Sequence, residues 1–394
     1  MENTTSSERL HIAFFGCRNA GKSSLVNAVT NQQLSVVSDI KGTTTDPVKK
    51  AMELLPIGPV VIIDTAGLDD EGKLGELRIA KTLEILGKTD IAVLVVDSTV
   101  GLSEYDKEII KEFEEKKLPY IVVYNKCDLI NPSHNHIRHP QDKEIFTSAK
   151  TDEGINELRE LLGKIAGKNK VEKYIIRDKL HAGDIVILVI PIDESAPKGR
   201  IILPQQNVLR ECLDAHSTAI CCQVEELEQI LKKITPKLVI TDSQVFNRVK
   251  DIVPNNIILT SFSILMANYR GKLESLVNGA KTITELKNGD TVLISEACTH
   301  HRQCNDIGTV KFPKWIKEYT GKNINFEFTQ GGEFPQDLSK YKLIIHCGGC
   351  MINEAEMKTR QNRAEEQNVP MVNYGMAIAY MNGILERALE IINR

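Results

Sequence analysis

The run "HIAFFGCRNAGKSSLVNAV" limits what this chain can fold into more than any other stretch. An apolar segment of strand character leads into a loop bounded by Gly16 and Gly21, and Leu25, Val26 and Val29 then recur at helical spacing. A strand that turns through Gly-x-x-x-x-Gly-Lys-Ser into a helix is the arrangement that cradles a polyphosphate. Gly16 and Gly21 let backbone N–H groups close around the phosphate oxygens, and the helix N-terminus adds a favourable dipole. Lys22 reaches the β and γ oxygens, and the Ser23 hydroxyl can ligand Mg2+. Ala20 and Ser24 belong to the same phosphate-binding loop and first helical turn.

Three later segments specify the nucleotide. "VVIIDTAG" puts Asp64 at the carboxyl end of a strand, behind the Mg2+ site, with the Gly67 N–H able to sense the γ-phosphate. "VVYNKCD" supplies Asn125, Lys126 and Asp128. The Asp128 carboxylate can accept from N1–H and the exocyclic amine of guanine, two donors that adenine does not present. ATP would leave that carboxylate desolvated and unpaired, a mismatch that costs on the order of 10⁴ to 10⁵ in specificity, so the nucleotide is read as GTP. "FTSAK" adds Ser148, Ala149 and Lys150 to the base pocket. The set follows the order of a Ras-like GTPase domain, expected over residues 1–168.

Two details resemble the TrmE-Era branch of these GTPases, whose members are activated by potassium. "DIKGTTTDP" is similar to that branch's first switch, which implies Thr44, or the adjacent Thr43, as the residue that senses Mg2+ and the γ-phosphate. Asn19 stands where the K+-dependent members carry their cation-coordinating asparagine, and a loop-stabilising role is the alternative reading. A cation there would neutralise charge developing between the β and γ phosphates. Leu68 occupies the place of the water-positioning glutamine of Ras-like proteins. Glu76 matches the catalytic glutamate of the TrmE relatives, although an exposed helical glutamate would look the same. Slow, regulatory hydrolysis follows in either case.

With 49 basic and 53 acidic side chains and a formal charge of −4, the totals show no polycationic surface and disfavour a nucleic-acid partner. The amino terminus has no signal-peptide pattern and the longest apolar run, "IVILVIPI", is far short of a membrane span. A cytoplasmic, soluble protein without membrane contact is expected, and its nine cysteines are read as thiols or metal ligands.

Beyond the basic stretch "AGKNKVEKY", strand and helix patterns alternate from 169 to 268 and again from 269 to 394, which predicts an α/β protein of three domains. The middle domain shows no site chemistry and is expected to pair with a second copy, giving a homodimer. Its adjacent Cys221 and Cys222 would point to opposite faces of a strand and are read as small buried residues. In the last domain Cys298 directly follows the strand "TVLISEA", and Cys347 and Cys350 directly follow "KLIIH". Ligands of open parallel sheets gather outside the carboxyl ends of strands, so these cysteines converge on one edge. Three thiolates fit an iron-sulfur cluster, three thiolates with a histidine fit zinc, and the Cys-x-x-Cys pair alone could be a redox disulfide. The glycines of "CGGC" favour close backbone wrapping around a bulky cluster.

A TrmE-Era-like GTPase joined to Cys298-x-His300 and His346-Cys347-x-x-Cys350 resembles the HydF family, the GTPase that matures iron-iron hydrogenase. The resemblance covers the whole chain. It implies a 4Fe-4S cluster on Cys298, Cys347 and Cys350. It also implies a scaffold or carrier role for the two-iron subcluster, which is built with two radical-SAM maturases and delivered to apo iron-iron hydrogenase. One iron would lack a cysteine, with Glu296, His300, Cys304, His346 or water as its resting ligand. The competing readings are an RNA-modification or ribosome-assembly GTPase with a zinc module, and a GTPase-coupled thiol oxidoreductase.

Overall fold

The computed structural model describes residues 8–32, 48–65, 75–130, 143–168, 172–192, 201–297 and 306–393, with the backbone alone for 75–80 and 168. The chain forms two compact units, one of Met1–Val171 with Ile352–Thr359, the other of Glu172–Met351 with Arg360–Arg394.

The first unit contains β1 (Leu10–Phe15), α1 (Lys22–Thr30), β2 (Val48–Leu54), β3 (Gly58–Asp64), α2 (Gly75–Leu86), β4 (Ile91–Asp97), α3 (Glu104–Glu115), β5 (Tyr120–Asn125), β6 (Glu144–Phe146) and α4 (Ile155–Lys168). Its sheet runs β2-β3-β1-β4-β5-β6 and is parallel except for β2, which is antiparallel to β3. Helices cover both faces, so the central strands read as unbroken apolar runs. Alternate residues divide between two cores: Ile91, Val93 and Val95 of β4 join one, and Ala92, Leu94 and Val96 the other. Each fully buried branched side chain contributes roughly 1.5–3 kcal/mol. The helix α3 starts on a reciprocal cap in which the Asp106 N–H donates to Ser103 Oγ and the Ser103 N–H donates to Asp106 Oδ2.

The second unit holds two four-stranded, all-parallel sheets. The middle sheet, in the order β10-β9-β7-β8, uses β7 (Ile185–Val189), β8 (Thr218–Cys222), β9 (Leu238–Thr241) and β10 (Ile258–Ser261). Its helices are α5 (Leu203–Asp214), α6 (Val224–Leu231), α7 (Phe246–Ile252) and α8 (Phe262–Arg270). After α9 (Leu273–Glu285) the last sheet, in the order β12-β11-β13-β14, uses β11 (Thr291–Glu296), β12 (Asn325–Gln330), β13 (Leu343–His346) and β14 (Met371–Asn373). Its helices are α10 (Phe312–Thr320) and α12 (Tyr374–Met381); α11 (Glu354–Glu366) begins in the segment assigned to the first unit and ends in the second, and α13 (Leu385–Asn393) follows α12.

The last two helices, α12 and α13, are separated where Gly383 adopts φ +68°. The second of these, α13, packs on the middle sheet: Ile391 lies in that sheet's core, and Thr260 Oγ1 donates to the Ala388 carbonyl at 2.7 Å. Finally, β8 is an edge strand, so Cys221 is exposed and Cys222 only half-buried.

Candidate functional site

In the first unit the phosphate loop is held open by contacts that leave no room for larger residues. At Gly16 (φ +137°) a Cβ would stand 2.0 Å from the Val95 carbonyl oxygen, and at Gly21 (φ +88°) one would stand 2.3 Å from Asn125 Nδ2. Lys22 is buried, its Nζ donating to the carbonyls of Gly16 and Cys17 at 2.6 and 2.9 Å, so the ammonium sits inside the ring of the loop. Ser23 Oγ donates to Asp64 Oδ2 at 2.9 Å, joining the two residues expected at Mg2+. Ala20 is buried beneath the loop, whereas Asn19 is exposed and takes a left-handed conformation (φ 62°) at its crest.

Asn125 is a joint between loops. Its Nδ2 donates to the Ala20 carbonyl at 3.0 Å and its Oδ1 accepts from the Ala149 N–H at 3.1 Å. The phosphate loop and the "TSAK" loop are thereby set against one another. Ser148 Oγ donates to Asp128 Oδ1 at 2.7 Å and orients the exposed carboxylate expected to read guanine. Lys126 pairs with Asp97 Oδ2 at 2.6 Å. Burial works to raise the Asp97 carboxyl, but its bonds from Lys126 and Thr99 prevail and hold it below the usual range. The sequence did not single out Asp97, although it ends β4 beside the phosphate-loop strand. Thr43, Thr44, Gly67 and Leu68 lie outside the described residues. Glu76 is the second residue of α2, and its side chain is likewise outside them.

In the second unit β11 and β13 pair in parallel with Ser295 opposite His346, which brings the two cysteine-bearing loops to one sheet edge. The Cys347 N–H donates to the Ser295 carbonyl at 2.9 Å. Cys347 Sγ accepts two backbone N–H bonds, from Ala297 at 3.1 Å and from Gly349 at 3.4 Å. Two amide N–H groups point at this one sulfur, and N–H bonds to sulfur are among the features that tune iron-sulfur sites. The donor set therefore fits a thiolate-bound cluster. Cys298, His300 and Cys304 lie outside the described residues, although Ala297, the neighbour of Cys298, is the residue that touches Cys347. Among the described residues no three His, Cys, Asp or Glu side chains converge as a metal site.

His346 has other work. It is 1% exposed, its Nδ1 lies 2.7 Å from the Cys347 carbonyl oxygen, and its Nε2 lies 3.1 Å from Nη1 of the buried Arg360. Burial first, then the Arg360 charge, push its pKa down to about 3, so the ring is neutral. With Nδ1–H donating and Nε2 accepting, both nitrogens are engaged, and His346 would have to release Arg360 to serve as the resting ligand. Glu296 Oε1 accepts from the Tyr374 hydroxyl at 3.1 Å. Burial and the neighbouring Glu296 carboxylate hold the Tyr374 phenol protonated by raising its pKa. Arg360, Tyr374 and Arg270 were not found from the sequence, because nothing in the spacing marks them as neighbours of the cysteines.

Comparison with known proteins reports on each segment. Residues 175–271 match the hydrogen maturase F dimerization domain, and residues 274–391 match the hydrogen maturase F tetramerization domain. Together these two matches cover more than half of the chain. The chain belongs to the hydrogen maturase F family. Residues 11–126 match a family described as 50S ribosome-binding GTPase, and the first unit of this family member is a GTPase domain. Among curated relatives, the tRNA modification GTPase MnmE of Dechloromonas aromatica is 38% identical over 176 residues, covering 44% of this chain and 38% of the relative. GTPase Der of Mycoplasmopsis pulmonis is 33% identical over 196 residues, covering 46% of this chain and 44% of the relative. The chain spans less than half the length of these curated relatives. A variant of Aquifex aeolicus Era bound to GDP and aluminium fluoride is 21% identical, covering 54% of this chain and 93% of that one, with a TM-score of 0.36. Among the described residues no helix is long and apolar enough to cross a membrane.

Proposed function

We propose that this member of the family is a scaffold and carrier that hydrolyses GTP with Mg2+ and K+. It would hold a 4Fe-4S cluster on Cys298, Cys347 and Cys350. Its cargo is the two-iron subcluster of iron-iron hydrogenase, received from radical-SAM maturases and handed to the apo-hydrogenase. The observation that carries the cluster reading is the pair of backbone N–H bonds on Cys347 Sγ, one of them from Ala297, the residue before Cys298. Three thiolates at the carboxyl ends of two adjacent parallel strands give a cluster one cysteine-free iron, to which a second iron unit can attach. Glu296, oriented by Tyr374, is the described carboxylate nearest in sequence to Cys298 and remains a candidate for that iron, with His300, Cys304 and water.

In the GTPase domain Ser23 and Thr44 (or Thr43) hold Mg2+, Asn19 holds K+, and Glu76 places the attacking water. Lys22 stabilises charge on the transferred phosphoryl group. Hydrolysis then serves as a switch of partner affinity. Oligomerisation as a dimer or higher assembly follows from the domain matches, and action in the cytoplasm accords with the reading from composition.

The test is iron, sulfide and zinc content with electron paramagnetic resonance of dithionite-reduced protein prepared without oxygen, for wild type and Cys298→Ser. About four irons per chain and a signal lost in the variant are expected. Stoichiometric zinc without iron would move the protein to the runner-up reading, an RNA-modification or ribosome-assembly GTPase with a zinc module, which the names of the GTPase relatives favour.

A further inference from the structure

We propose that Arg270, the last residue of α8, is the positioning residue of the Cys347–Cys350 loop, so that the cluster site is built by both matched segments and not by the carboxyl-terminal one alone. Its purpose rests on the cluster reading above; its geometry does not.

Arg270 Nη1 donates to the Gly348 carbonyl and to the Gly349 carbonyl, each at 2.7 Å. The Gly348 carbonyl and the Gly349 N–H are the two ends of one planar trans peptide and point in opposite directions. Drawing the oxygen toward the guanidinium therefore turns the N–H the other way, where it meets Cys347 Sγ at 3.4 Å. The second bond fixes the next peptide in the same manner, the one that carries the Cys350 N–H. Packing does not set this shape: a Cβ at Gly348 would meet nothing within 4 Å. Gly349 has φ +64°, a conformation that the loop must be held in and that glycine makes accessible.

The anchor of the clamp is rigid. The helix α8 is capped by Ser261, whose Oγ accepts from the Ile264 N–H, and it ends on Gly271 at φ +85°. Its Phe262, Leu265 and Met266 lie in the core of the middle sheet. Arg270 belongs to the segment matched by the dimerization model and the loop to the segment matched by the tetramerization model. The guanidinium is permanently charged, and the two hydrogens of Nη1 serve one carbonyl each.

The test compares wild type, Arg270→Gln and Arg270→Lys as full-length protein. Hydrogen exchange is followed on the apoprotein, and loss of iron to a chelator is followed after anaerobic reconstitution. Loss of two charge-assisted bonds is expected to speed exchange of the Gly349 and Cys350 amides about tenfold or more in Arg270→Gln. Iron release is expected to accelerate in step, and Arg270→Lys should recover part of both. Exchange of those amides within about twofold of wild type would overturn the assignment. Should Arg270→Gln fail to fold by circular dichroism, Arg270→Lys carries the same decision: faster exchange supports the clamp and unchanged exchange overturns it. Absence of iron from wild type would defeat the cluster reading, while the exchange arm still decides the clamp.

Discussion

Acid should destabilise the second unit through His346, and the size of the effect follows from its surroundings. The ring is neutral and fully enclosed, with Arg360 donating to Nε2, the Cys347 carbonyl on Nδ1, and Arg270 the further positive charge that bears on it. Its folded pKa is about 3, against about 6.5 in the unfolded chain. Above pH 6.5 the ring is neutral in both states and the full stability is present. As the pH falls below that value the unfolded chain binds a proton that the folded chain refuses. Stability drops by up to about 1.4 kcal/mol per pH unit, or about 2 kcal/mol by pH 5, and the loss continues toward pH 3. The measurement is urea unfolding of the apoprotein at pH 7 and pH 5. It can be followed by fluorescence of Trp315, the chain's single tryptophan, which packs edge-on against Phe312 in the same unit. In His346→Gln the side-chain amide oxygen can still accept from Arg360 but does not titrate, so about 2 kcal/mol of acid sensitivity should vanish. Equal losses in wild type and variant between pH 7 and pH 5 would refute the reasoning.

Three further outcomes are expected. Asp128→Ala removes an acceptor for two guanine donors and should weaken binding of a fluorescent GDP analogue by about a hundredfold or more, with the fold unchanged by circular dichroism. Ser23→Ala deletes the hydroxyl that meets Asp64; nucleotide affinity measured with and without EDTA should lose most of its dependence on Mg2+. Gly279→Ala would place a Cβ 2.0 Å from the Met371 carbonyl oxygen, a backbone atom in β14. Separation of α9 from that strand should cost about 1–3 kcal/mol or more, read as a lower urea midpoint on the Trp315 signal.

The parts of this molecule that were legible in the sequence are those in which chemistry fixes spacing. The phosphate loop is one, because Lys22 must fold back over Gly16 and Cys17, and Ser23 must reach Asp64. The convergence of strands β11 and β13 was legible for a similar reason, since apolar runs followed at once by cysteines in a parallel sheet leave those residues at one end. What stayed hidden depends on neighbours distant in sequence. Cys221 and Cys222 sit in an apolar strand, but burial depends on whether another strand covers it, and β8 is last in its sheet. The histidine His346 looked like a ligand because it adjoins Cys347; only the fold shows that Arg360 reaches its other nitrogen. A lone arginine before a glycine gives no sign that it will grip a loop 78 residues away.

The position of α13 has a consequence for how the chain matures. Ile391 completes the core beneath the middle sheet, whose last strand, β10, ends at Ser261. During synthesis that sheet emerges with α5 and α8 well before α13, so the part of its core that Ile391 fills is completed only after the carboxyl-terminal sheet has been made. A truncation or a tag that disturbs Leu385–Asn393 would therefore show its effect first in the layer matched as the dimerization domain, more than a hundred residues upstream.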